Sequence, residues 1–292
     1  MFFMDSHWLG LAHCLLSHTG TSVTMPSSLV ILGAGYTARF VLPLAERRYT
    51  HVSLTSREPD AHLSHVHPDR RIRFDLEQSK TWMNLPTGAD LLWCFPAAPL
   101  HLVQQLAQDH DLRSHRLVIL GSTSAYKEPQ SRDYPPPWID ETAQIAQQPS
   151  RVEGEEFLRT ACGAAVLRVA GIYGPGRSPI DWIIKGRVGP SRKYVNLIHV
   201  EDLAAVCLTA LDHGLPGEVY NVSDGTPRTW TEICRRAQDR WGIQSAARSD
   251  DDVPIGKRIA NGKLLAMLQG ADQRLRYPDL WSALDQLVTP TD

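Results

Sequence analysis

Gly33-Ala34-Gly35-Tyr36-Thr37-Ala38 is the stretch of this sequence best suited to hold a reactive small molecule. The apolar run Leu29-Val30-Ile31-Leu32 leads directly into it, and a helical pattern follows. A G-x-G-x-x-G/A pattern between a strand and a helix has a physical reason at each place. Gly33 permits the tight turn, Gly35 lets a pyrophosphate reach the backbone, and Ala38 is small enough for helix and strand to pack closely. The helix opening, at Tyr36 and Thr37, would offer unpaired N–H groups and partial positive charge to phosphates. The stretch therefore reads as a Rossmann-type dinucleotide site.

The end of the next apolar run selects the dinucleotide. NAD sites usually carry Asp or Glu about 20 residues past the glycines, where a carboxylate bonds the ribose 2′-hydroxyl. This sequence has Thr55-Ser56-Arg57 there. A carboxylate would repel a 2′-phosphate, whereas the Ser56 hydroxyl and the Arg57 guanidinium would bind one. NADP(H) is favoured, with NAD(H) as the alternative. Further along, Asp75 could accept from the adenine amino group while Leu76 packs on the ring. Phe95, Pro96 and Ala97 would lie along the cofactor.

These residues need a scaffold that brings strand ends to one edge. Short apolar runs recur at 29–32, 51–55, 71–74, 91–95, 117–120 and 165–168. Helical patterns run from Phe40 through Arg48, with Pro43 inside, and over 100–109. Continuous apolar runs mark strands buried on both faces, and their alternation with helices implies βαβ units. The expected fold class is α/β, a doubly wound parallel sheet with a smaller C-terminal substrate lobe. Residues 1–25 read as a disordered extension without the basic flank of a secretory signal. Residues 26–171, with a return segment over 196–224, read as the dinucleotide domain. Residues 172–195 and 225–292 read as the lobe, opened by the Pro- and Gly-rich stretch from Gly174 to Pro190.

Composition narrows the class. With 292 residues, 42% of them hydrophobic, the chain can bury one large core and a smaller attached one. Its 30 basic and 32 acidic residues give a formal charge of −2, without the basic excess of a nucleic-acid or membrane-surface protein. No apolar run approaches the roughly 18 residues of a membrane span. The five cysteines are odd in number and far apart, which suits free thiols in a reducing cytoplasm better than disulfides or zinc. His62, His65 and His67 have metal-like spacing but no cysteine or paired carboxylate nearby, so they read as a solvated loop. The acidic run Asp250-Asp251-Asp252 reads as a solvated turn.

Later stretches resemble the extended and atypical short-chain dehydrogenases/reductases, in the NAD-dependent epimerase/dehydratase-like group. They are Leu120-Gly121-Ser122-Thr123-Ser124-Ala125-Tyr126, Leu167-Arg168-Val169-Ala170-Gly171-Ile172-Tyr173-Gly174-Pro175-Gly176-Arg177, Val195 to Ala204, Val219 to Gly225, Lys257-Arg258-Ile259-Ala260-Asn261 and Tyr277-Pro278. The resemblance implies a Tyr-x-x-x-Lys pair as general acid or base during hydride transfer, and a nearby hydroxyl that orients the substrate oxygen. Ser122 falls at the hydroxyl position. The pair is missing: no lysine has tyrosine four residues before it, and Ser150 and Gly154 stand where Tyr and Lys should be. Members of the group often dimerise through helices of the cofactor domain, so a homodimer is the assembly the resemblance implies.

Tyr126 and Tyr173 could replace the missing acid, since both would follow strands at the ligand-binding edge. His199 and Asp202 fit structural roles better, the first closing a loop and the second capping or anchoring the next helix. Two functions follow. One is an NADP(H)-dependent oxidoreductase or epimerase-like enzyme acting on a small polar or sugar-like substrate. The other is a catalytically impaired NADP(H)-binding sensor or scaffold.

Overall fold

The computed structural model describes residues 28–128, 133–146, 150–246 and 255–288. The N-terminal extension and Asp250-Asp251-Asp252 lie outside the described residues. In chain order the first half contains β1 (Ser28–Leu32), α1 (Tyr36–Ala45), β2 (His51–Ser56), α2 (Pro59–His62), β3 (Arg71–Arg73), β4 (Asp90–Trp93), α3 (Leu100–Asp109) and β5 (Leu117–Ser122). The second half contains β6 (Trp138–Ile139), α4 (Ser150–Cys162), β7 (Ala165–Val169), β8 (Gly171–Tyr173), α5 (Pro179–Ile184), β9 (Tyr194–Val195), β10 (Leu197–His199) and α6 (Val200–His213). It continues with β11 (Val219–Val222), β12 (Arg228–Thr229), α7 (Trp230–Trp241), β13 (Arg258–Ile259), α8 (Gly262–Gly270) and α9 (Leu280–Leu287).

The apolar runs form one seven-stranded parallel sheet, ordered β11-β7-β5-β4-β1-β2-β3. Val30 of β1 pairs with Ser53 on one side and Leu91 on the other. The strand order therefore reverses beside β1, and the glycine turn leaves the sheet at that switch point, where a crevice opens beyond the strand ends. Helices α1 and α6 cover one face through Val41, Ala45, Leu203 and Ala204. On the other face, α3 and α4 contribute Val103, Leu106 and Leu158. Both faces are dry, which is why these strands carry no alternating pattern.

A separate apolar cluster joins Tyr173, Ile180, Ile183, Trp230, Ile233, Leu280 and Leu284, from β8, α5, α7 and α9. This is a second core, apart from the clusters on the two faces of the sheet. The sequence boundaries put 262–270 in the lobe, but Leu264, Met267 and Leu268 of α8 are buried in the sheet-domain cluster beside α6. Asp202 likewise acts at a distance. The N-cap of α6 is His199, whose Nδ1 accepts from the Glu201 N–H at 3.3 Å. The Asp202 carboxylate instead accepts the backbone N–H groups of Arg276 (2.7 Å) and Tyr277 (2.9 Å), tying the C-terminal segment to α6. Among the described residues, no helix is long and apolar enough to cross a membrane.

Candidate functional site

The glycine turn is built as its residue types require. Gly33 sits at φ +97, a conformation that L side chains rarely adopt, and a Cβ there would press on the Phe95 ring at 3.2 Å. Its N–H donates to the Thr55 hydroxyl at 2.8 Å, which fixes the turn to the end of β2. A Cβ on Gly35 would meet nothing within 4 Å. Gly35 is the N-cap of α1 with no side-chain capping bond, and no acidic residue occupies the first turn. The helix thus ends in uncapped N–H groups beside open space, a cradle that fits the pyrophosphate of a nicotinamide dinucleotide. Thr37 and Ala38, buried at 7% and 0% exposure, pack α1 onto the sheet and shape this cradle from below.

A cavity of about 360 Å³ runs from Gly33 and Ala34 across the ends of β2, β3 and β4. Ser56, Arg57, His62, Asp75, Leu76, Phe95 and Ala98 line it. At the end of β2, the Ser56 hydroxyl bonds His62 Nδ1 at 2.8 Å and accepts the Glu58 N–H at 3.1 Å. The Asp75 carboxylate accepts from the Glu77 N–H and the Gln78 amide, 3.1 and 3.0 Å away. It is therefore held in its own turn. His62 joins this wall although the sequence reading left it in a solvated loop. Among the described residues, no group of three His, Cys, Asp or Glu side chains is placed to hold a metal ion.

Three of the expected cofactor residues lie elsewhere. Tyr36 faces the lobe: its hydroxyl donates to the Pro175 carbonyl (3.0 Å), and the Arg177 guanidinium lies 5.7 Å over its ring. Pro96 does not line the cavity. Ala97, 1% exposed, is turned onto α4. This contact involves Gly154, where the resemblance calls for lysine. A Cβ on Gly154 would collide with the Ala97 carbonyl oxygen, and the Ala97 carbonyl carbon would be 2.8 Å away. Helix α4 approaches the segment after β4 so closely that only glycine fits at the position where the resemblance calls for lysine.

Neither candidate tyrosine faces a cleft. Tyr126 is 1% exposed, donates to Asn221 Oδ1 at 2.6 Å and lies under the Arg168 guanidinium. Tyr173 is fully buried and stacked edge-on with His199 at 5.1 Å, and among the described residues its hydroxyl has no hydrogen-bond partner. Burial raises the pKa of both phenols, which opposes their use as acids near neutrality. Burial also lowers the His199 pKa and keeps the imidazole neutral between Tyr173 and Tyr277.

Ser122 does reach a cleft. It lines a second cavity of about 340 Å³ with Thr123, Ser124, Asn196, Trp182, Trp230, Tyr194, Lys193 and Lys257. Its hydroxyl accepts the Ser124 N–H (3.2 Å) and donates to the Ser124 hydroxyl (3.1 Å). It can offer a hydrogen bond to a ligand only by rotating its proton off Ser124. Lys257, part of the Lys257 to Asn261 motif, joins this cleft without a local signal that predicts it. Its approach to Tyr126, 131 residues away, is a tertiary contact that no local pattern carries.

No family model matches the chain. A stretch of 116 residues is 29% identical to Protein YeeZ of Escherichia coli K12, covering 38% of this chain and 40% of that protein. A functionally unknown conserved protein from Silicibacter pomeroyi superposes with a TM-score of 0.70 at 25% identity, over 89% of this chain and 98% of that one. The dTDP-glucose 4,6-dehydratase of Bacillus anthracis, solved with NAD, gives 0.68 at 14% identity over 89% and 95%. The Bordetella bronchiseptica enzyme WbmG, also with NAD, gives 0.68 at 17% over 93% and 94%. The chain therefore shares its fold with these proteins, the NAD-bound dTDP-glucose 4,6-dehydratase and WbmG structures among them.

Proposed function

We propose that the protein binds NADP(H) in preference to NAD(H) and acts as an oxidoreductase of the epimerase/dehydratase kind on a small polar or sugar-like substrate. The observation that carries this reading is the end of β2, where Ser56, Arg57 and His62 line the cavity and no Asp or Glu stands at the position of an NAD-site carboxylate; the cavity's carboxylates, Asp75 and Glu77, come from the turn after β3. A bound dinucleotide supplies the hydride chemistry. The chain's own residues do the rest. Gly33, Gly35 and the first turn of α1 would receive the diphosphate. Arg57 would neutralise a 2′-phosphate. Ser122 turns its hydroxyl from Ser124 to the substrate oxygen and orients it. With no tyrosine–lysine pair to hold the proton, the Ser122 and Ser124 hydroxyls would relay it between the substrate oxygen and solvent water.

A second reading has its own support. The closure of α4 on Ala97 and the burial of both tyrosines favour a sensor or scaffold that binds NADP(H) without turnover. Calorimetric titration with NADPH and NADH separately tests the shared part. Tighter binding of NADPH supports the role given to Ser56 and Arg57; binding of neither overturns both readings. NADPH oxidation over a panel of sugars and hydroxy acids then separates enzyme from sensor.

A further inference from the structure

We propose that Lys257 is the anion-recognising residue of the Ser122 cleft, and that its ligand is a carboxylate on a polyhydroxylated frame. This rests on reading that cleft as the substrate site. Lys257 is only 9% exposed, and its ammonium donates to the Tyr126 carbonyl. Its counter-charge is Glu128 at 3.4 Å, whose side chain is 59% exposed. A buried ammonium needs a charge partner, and a long ion pair to a half-solvated carboxylate is a weak one. A ligand carboxylate entering the cleft is better placed than Glu128 to serve. Among the residues lining the cleft, the charged groups are Lys193, Lys257 and Glu128, so the cavity is net cationic.

The backbone at Lys257, directly before β13, is fixed firmly. Asn196 Nδ2 donates to the Lys257 carbonyl at 2.8 Å, while Asn196 Oδ1 accepts the Ile259 N–H at 2.9 Å. The Ala260 N–H donates to the Ile139 carbonyl at 2.8 Å. Gly256, at φ +80, lies against Tyr194, where a Cβ would strike the Tyr194 carbonyl. A flexible lysine stem is thus anchored at its root and aimed along a cleft of hydroxyls. An ammonium has three donors. Two go to Tyr126 and Glu128, which suits one monoanionic carboxylate better than a diphosphate. Trp182 and Trp230, 6.2 Å apart, supply aromatic surface for the apolar face of the frame.

The test uses D-glucuronate and its neutral isostere D-glucuronamide as probes, titrated calorimetrically into the full chain with and without NADPH. A charge-assisted hydrogen bond predicts that glucuronate binds about tenfold tighter than glucuronamide. Lys257→Met abolishes that preference and Lys257→Arg keeps it. Glu128→Gln, which leaves the lysine root untouched, tightens glucuronate binding and leaves glucuronamide unchanged. Equal affinity for the two probes in the wild type, or a preference that survives Lys257→Met and ignores Glu128→Gln, overturns the proposal. NADPH binding is measured beside it and is unaffected by either change at Lys257. Loss of NADPH binding alone would therefore count against the function and not against Lys257.

Discussion

Replacing Gly154 by alanine separates the close approach of α4 from ordinary helix propensity. Glycine inside a helix is normally the weaker choice, and alanine gains about 1 kcal/mol there. Gly154 lies five residues into α4, so propensity alone raises stability. The new methyl group, however, meets the Ala97 carbonyl group, which is backbone and cannot rotate away. Relief requires α4 or the segment after β4 to move. Overpacking of this kind costs about 3 kcal/mol, the upper end of its usual range. The net loss is about 2 kcal/mol, or roughly 4–8 °C in Tm for a domain of this size. Differential scanning calorimetry reads it. A Tm equal to or above the wild type would refute the close approach, and with it the explanation for the absent lysine. The double change Ser150→Tyr with Gly154→Lys makes the same point in function: it destabilises further and restores no tyrosine–lysine chemistry.

Arg57→Ala weakens NADPH binding by about tenfold and leaves NADH nearly unchanged, because the lost charge-assisted bond is at an exposed site near the lower end of its range; calorimetry with both nucleotides checks it. Gly35→Ala keeps Tm within about 1 kcal/mol equivalent of the wild type, since its Cβ enters open space, yet weakens both nucleotides by filling the cradle. Asp202→Ala leaves two backbone N–H groups without their acceptor and lowers stability by about 2–4 kcal/mol in urea titration, with Asp202→Asn milder. His199 binds its proton less readily when folded than when unfolded. Its contribution is therefore fully present above the unfolded pKa of about 6.5 and is lost as pH falls below it. Urea midpoints at pH 7.5 and 5.5 should differ less in His199→Asn than in the wild type.

The parallel sheet was legible because its signal is local. Leu29 to Leu32, His51 to Thr55 and Leu117 to Leu120 each read as buried strands from composition alone, and the 100–109 helix has the bounds its periodicity gave. The glycine turn was legible for the same reason: its constraints act within six residues. Helix α1 stops at Ala45, short of Arg48, where the Glu46 and Tyr49 N–H groups bond back to Leu42 and Ala45 and close the last turn. What the sequence concealed is long-range. Tyr126 follows a strand at the ligand-binding edge, yet Asn221, 95 residues away, takes its hydroxyl. Ala97 sits in a small-residue stretch suited to a cofactor, yet α4 claims it. Lys257 reaches the cleft only because Asn196 and Tyr194 hold its backbone.

These placements bear on how a hydride site could work without a tyrosine–lysine pair. In the missing arrangement, lysine both lowers the tyrosine pKa and fixes the nicotinamide ribose. Here the lysine position is occupied by contact between α4 and Ala97, so the same helix that would present the pair instead narrows the space beside β4. The tyrosines nearest that edge carry raised pKa values and face inward. Lys257, just before β13, lines a cleft with Ser122. A cation there can hold a substrate, but it cannot lower the pKa of a phenol that donates into Asn221. The architecture therefore separates substrate retention from proton transfer, which the tyrosine–lysine pair would combine on one helix. Under the proposed function, the rate of turnover should depend on Ser122 far more than on Tyr126 or Tyr173. Ser122→Ala set against Tyr126→Phe in a single-turnover NADPH oxidation assay decides this: equal losses in the two variants would return Tyr126 to the reaction and undo the separation.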